Sequence, residues 1–82
     1  MCQTKKSVLR ALGHLIKNKR KARKLSQEQL SFLANLDRTY ISGVERGIRN
    51  PSLTALVSLA RGLNITVSEL LEDLEMQADD LE

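Results

Sequence analysis

The sequence predicts an all-α fold of five helices, and three observations carry that expectation. Phe32 and Tyr40 are its main aromatics, so the core has to be built from Leu, Ile, Val and Ala, a mixture that suits helix-on-helix packing better than a sandwich or barrel. Apolar residues recur at helical spacing along much of the chain, and residues that start and stop helices punctuate it at intervals. Eighty-two residues support one modest core, so residues 1–82 are expected to form a single domain, ordered over about 7–75 with an acidic tail over 76–82.

Each helix has its own signature. Leu9, Leu12, Leu15 and Ile16 lie between charged residues, which predicts an amphipathic first helix over about 7–23 whose polar face is mainly Lys and Arg. Ser26 followed by Gln29 has the form of a capping box and opens a short second helix with Leu30 and Ala34 inward. Asn35 tolerates the left-handed conformation of a tight interhelical turn, and Asp37 can cap a third helix that runs to about residue 46.

Gly47 ends that helix, and Ile48, Arg49, Asn50 and Pro51 form a surface loop. Ser52 caps a fourth helix marked by Leu53, Leu56, Leu59, Ala60 and Leu63, which Asn64 and Ile65 close. Thr66 and Glu69 form a second capping box for a fifth helix carrying Val67, Leu70, Leu71 and Leu74. From Met76 onward the chain is too acidic and too poor in apolar residues to pack, so the tail is expected to fray.

The formal charge of +3 conceals a segregation along the chain. Residues 5–24 hold nine bases and no acid, whereas residues 63–82 hold seven acids and no base. A basic half attracts polyanions and an acidic half repels them, so nucleic acid is the partner class the N-terminal half suits. Cys2 is the only cysteine, which leaves no internal disulfide and no cysteine-rich metal cluster, and it reads as an inert terminal thiol in a reducing compartment. Arg10, His14 and Lys17 interrupt any secretory or membrane-spanning run. With one histidine, His14, at a helix-surface position and no glycine-rich phosphate loop, the sequence carries no catalytic, metal or cofactor signal, and an enzyme is not expected.

Two short helices joined by a tight turn let the later one protrude. The run of Leu25, Gln27, Leu30, Ala34, Ile41, Val44, Glu45, Gly47 and Pro51 resembles the helix-turn-helix of the lambda-repressor and Cro-like superfamily, over roughly residues 10–74. Residues 36–46, read as a recognition helix, are similar to those of restriction-modification controller proteins. Asn35 and Asn64 stand where glycine is frequent, and both can take the left-handed conformation. The resemblance implies a compact lambda-repressor-like domain, a cytoplasmic homodimer on double-stranded DNA, activation and repression of its own operon, and RNA polymerase as a further partner.

The third helix turns Ile41 and Val44 inward and leaves Arg38, Thr39 and Ser42 for base edges near its N-terminal end. Arg38 can donate two parallel hydrogen bonds to guanine, a discrimination of roughly 1–3 kcal/mol that lysine cannot reproduce. Gly43 costs about 0.5–1 kcal/mol against Ala in mid-helix, so something comes close there, DNA or the first helix. Tyr40, Arg46, Arg49 and Asn50 are expected at the DNA backbone, and the resemblance adds Gln27 as a phosphate contact. It also implies a structural ion pair of Arg20 and Glu45 across the first and third helices. Ile65, Val67, Leu70, Leu71 and Leu74 are expected at a two-fold interface that sets two recognition helices roughly 34–36 Å apart on a palindromic operator. The alternatives are a phage- or plasmid-type repressor, an antitoxin, and a helical protein-interaction module.

Overall fold

The computed structural model describes residues 4–80, without the side chain of Asp80; Cys2 and the last two tail residues lie outside it. The described residues form helices joined by turns and loops: α1 (Lys5–Ala22), α2 (Gln27–Ala34), α3 (Arg38–Glu45), α4 (Leu53–Gly62), α5 (Val67–Leu70) and α6 (Leu74–Asp80). The all-α expectation holds, and the buried apolar residues are all Leu, Ile, Val and Ala. Phe32 contributes nothing to them, being 85% exposed on α2.

Local chemistry sets the helix starts. Ser26 and Gln29, like Thr66 and Glu69, form reciprocal capping boxes, and the hydroxyl of Ser52 accepts from the Ala55 N–H. The first helix begins two residues earlier than predicted because the Thr4 hydroxyl accepts from the Ser7 N–H at 3.0 Å. Helix ends share one device, a left-handed residue followed by a Leu or Ile whose N–H reaches back into the helix. Asn35 and Asn64 take this conformation as expected, and Gly47 and Lys24 do so as well, Lys24 with φ of 57° and the Leu25 N–H donating to the Arg20 carbonyl.

Ile16, Leu30, Ile41, Val44, Leu59, Leu63 and Leu70 are the largest fully buried side chains, contributed by α1 to α5 and the C-cap of α4. α3 packs on α1 and α2, and α4 packs on α2. α1 and α3 approach closely at Gly13, where an added Cβ would collide with the Glu45 carbonyl oxygen and lie 2.7 Å from that of Val44. Only glycine allows this approach.

The C-terminal segment departs from its reading. The predicted single fifth helix is broken at Leu71–Glu72–Asp73, where Asp73 takes φ of 66°. The tail expected to fray from Met76 is helical to Asp80 and packs along α1, with Ala78 fully buried. A break of this kind turns the chain back onto α1, where the half-buried Leu74 and the fully buried Ala78 seat the short helix.

Candidate nucleic-acid interface

The site is built on α2, the turn and α3. Asn35 (φ 56°, ψ 43°) reverses the chain, the Leu36 N–H donates to the Ser31 carbonyl at 3.0 Å, and the Asp37 carboxylate caps α3 by accepting from the Thr39 N–H at 3.4 Å. Ile41 and Val44 are buried, which fixes the rotation of α3 about its axis. Arg38 and Thr39 are exposed at its N-terminal end, with Ser42 half-buried one turn on. The predicted base-reading set therefore shares one accessible face, where Ser42 is the most recessed.

The predicted backbone-contacting residues fall into two groups. Arg46, Arg49 and Asn50 are exposed where α3 ends and the loop begins. Arg49 folds back over α3, its guanidinium 5.4 Å from the centroid of the half-buried Tyr40 ring, a cation–π geometry that orders both side chains. At Gly43 a Cβ would lie 2.6 Å from Cγ of Arg49, so within the chain the close neighbour is this loop side chain and not α1. Arg46 donates from Nε to the Ser42 carbonyl at 3.3 Å, an arginine on the negative end of the α3 dipole.

Gln27 lies apart from these, at the start of α2, and belongs to a buried polar clip. Arg20 donates from Nε to Glu45 Oε2 at 2.7 Å, from Nη2 to Oε1 at 3.1 Å, and from Nη1 to the Leu25 carbonyl at 2.7 Å. Gln27 donates from Nε2 to the same Oε1 at 3.1 Å. The Glu45 side chain is 3% exposed, and its charge is held by a bidentate guanidinium and a carboxamide. Arg20 and Glu45 pair as the resemblance implied, and the clip ties α1, α2 and α3 together. The part played by Gln27 was not foreseen, because sequence spacing does not reveal that its amide reaches a residue 18 positions away.

The expected two-fold patch needs one correction. Ile65, Val67, Leu71 and Leu74 are half-buried and pack on the core, but Leu70 is completely buried within its own chain and has no surface to offer a partner. Large apolar side chains are exposed elsewhere too: Leu33 beside Phe32 on α2, Ile48 and Leu53 flanking the loop, and Met76 on α6. No helix among the described residues is long and apolar enough to cross a membrane.

The family model described as helix-turn-helix matches residues 16–70, the stretch that holds the clip, the turn and α3. The chain belongs to the helix-turn-helix family. Within it, this helix-turn-helix protein is similar to restriction-modification control proteins. It is 46% identical over 66 residues to control protein C.MunI from a Mycoplasma species, covering 79% of this chain and 89% of that one. Among solved structures, the controller C.AhdI from Aeromonas hydrophila is 48% identical with a TM-score of 0.74, covering 76% of this chain and 94% of that one. The controller C.Esp1396I, solved as a tetramer in complex with its natural 35-base-pair operator, superposes with a TM-score of 0.78 at 35% identity, covering 87% of this chain and 93% of that one. These relatives are gene regulators and not enzymes.

Proposed function

We propose that the chain is a sequence-specific DNA-binding transcriptional regulator of the restriction-modification controller kind, binding a palindromic operator as a cytoplasmic homodimer. The observation that carries this reading is the presentation of Arg38 and Thr39 at the exposed N-terminal end of α3, on a helix locked by the Arg20–Glu45–Gln27 clip. That end of a recognition helix is the one that meets base edges. Solved variants of C.Esp1396I alter an arginine, a threonine and a tyrosine at consecutive positions, and the same three residue types stand in succession at Arg38, Thr39 and Tyr40.

In this reading Arg38, Thr39 and Ser42 read bases, while Tyr40, Arg46, Arg49, Asn50 and the remaining amide hydrogen of Gln27 hold the phosphate backbone. Arg49 comes preordered on Tyr40, which lowers the entropy cost of a backbone contact. Ile65, Val67, Leu71 and Leu74 supply the two-fold interface, with Leu70 supporting them from beneath. Residues 1–82 act as one domain, and protein concentration controls the switch between activating and repressing the chain's own operon, with RNA polymerase as the partner on the activating side. A phage-type repressor is the second reading, favoured by 47% identity over 60 residues to an immunity repressor protein of Bacillus phage phi105, of which this chain covers 42%. It uses the same DNA-reading face and differs in the genes controlled.

Selection of bound duplexes from random DNA, comparing wild type with Arg38→Ala, tests the proposal. An enriched palindrome whose symmetrical positions relax in the variant supports it. Failure of the wild type to enrich any sequence overturns it and returns the chain to the protein-interaction class.

A further inference from the structure

The interface described above leaves most of the basic half of the chain unused. On α1, Lys6, Arg10, His14, Lys17 and Lys21 follow one another at intervals of four, four, three and four residues, and all five are exposed. At 3.6 residues per turn this is a single stripe along one side of the helix. α1 contains no acid, and Arg10, Lys17 and Lys21 make no ion pair among the described residues. Lys19 and Arg23, off the stripe, differ in lying close enough to Glu69 to act on its charge.

The stripe runs beside the α3-contacting face of α1, which is marked by Gly13 and Arg20. Arg10 emerges where α3 ends: a Cβ on Gly47, between Arg46 and the loop, would lie 3.0 Å from Cγ of Arg10 and 3.1 Å from its Cα. At the other end Lys21 adjoins Arg20, and the turn that follows leads directly into α2 and Gln27. The stripe thus connects the two places where phosphate contacts are proposed. From residue 10 to residue 21 it is about 16 Å long, comparable with the axial rise of about five nucleotides of one strand.

We infer that Arg10, Lys17 and Lys21 form a phosphate-binding rail on α1, a further DNA contact surface that follows the backbone beside the recognition helix and adds affinity without reading sequence. The inference rests on the DNA-binding function proposed above. A rail of flexible cations on a rigid helix suits this task, because each neutralised phosphate releases condensed counterions whatever the base.

The test measures binding of wild type and of the triple variant Arg10→Gln, Lys17→Gln, Lys21→Gln to the selected operator and to an unrelated duplex, across a salt series. Single variants Lys17→Gln and Arg61→Gln are measured alongside, the latter removing an exposed charge at the C-terminal end of α4. Gln keeps part of each apolar stem, and the single variants preserve the test should the triple variant fold poorly. The rail predicts that the triple variant loses affinity by the same factor on both duplexes, with the slope of log Kobs against log salt shallower by about 5, because each of the two protomers gives up three phosphate contacts. Lys17→Gln alone is expected to reduce that slope by about 1.8, one contact from each protomer, and Arg61→Gln to leave it unchanged. A wild type that selects an operator while the triple variant keeps its slope overturns the rail and leaves the function standing. Equal effects of Lys17→Gln and Arg61→Gln overturn it too, since long-range attraction then suffices. A wild type with no preferred sequence removes the function itself, a result read before any variant is compared.

Discussion

The helix-turn-helix and the C-terminal α5–α6 segment are held by different means. In the first, each helix boundary is fixed by its own residues, and a buried clip then joins three helices through one carboxylate. In the second, α5 has a local capping box, but α6 follows an abrupt break at Asp73 and depends on docking against α1. A defect in the first region has no inexpensive escape, whereas a defect in the second is relieved by undocking a short helix. Stability should therefore be distributed unevenly, with the DNA-facing half at the rigid end and α6 at the labile end.

The largest expected effect comes from Glu45→Ala. Arg20 would remain buried without its carboxylate, at a cost of about 3–5 kcal/mol, most of the stability of a domain this small. Thermal melting by circular dichroism checks this, and an unchanged curve contradicts the contrast at its strongest point. Arg38→Ala should do the reverse: a stability change within about 0.5 kcal/mol, with loss of roughly 1–3 kcal/mol of discrimination at one base pair. Binding to operator and singly substituted duplexes measures it.

Ala78→Asp sharpens the comparison from the other end. A buried charge would be intolerable if α6 could not leave, but undocking should limit the loss to about 1–2 kcal/mol. Hydrogen exchange would then show α6 amides unprotected and α3 amides unchanged. Loss of protection in both regions together would mean that the chain unfolds as one unit. The smallest effect concerns Glu69, whose pKa is lowered because its carboxylate accepts first from the Thr66 backbone N–H and then from the Thr66 hydroxyl. The folded state favours the ionised form, so this contribution is fully present above the ordinary carboxylate range and is lost as pH falls through the depressed value. Glu69→Gln should flatten the acid side of the stability–pH profile slightly, as followed by denaturant melts at several pH values.

The unequal means of support also explain which parts were legible from the sequence. Ser26, Asn35, Asp37, Gly47, Ser52, Asn64 and Thr66 were read correctly because their side chains or conformational freedom act on their own backbone. Lys24 was not, since a lysine does not advertise a left-handed conformation, and Asp73 was not because the unbroken apolar spacing of Val67, Leu70, Leu71 and Leu74 masked an Asp that tolerates one. The outward position of Phe32, the reach of Gln27 to Glu45 and the fold of Arg49 across Tyr40 depend on where remote helices meet. Gly13 was overlooked for the same reason: its signal is a crossing of two helices, not a turn.

The accessible end of α3 has a consequence for divergence. Arg38 and Thr39 project from a helix whose position is set by Ile41, Val44 and Glu45, on its opposite side and at its far end. Because those anchors do not involve the two exposed side chains, substitutions at 38 and 39 are nearly invisible to the fold. Related chains can therefore explore new outward chemistries by exchanging a pair of neighbouring codons, while the scaffold beneath is inherited unchanged.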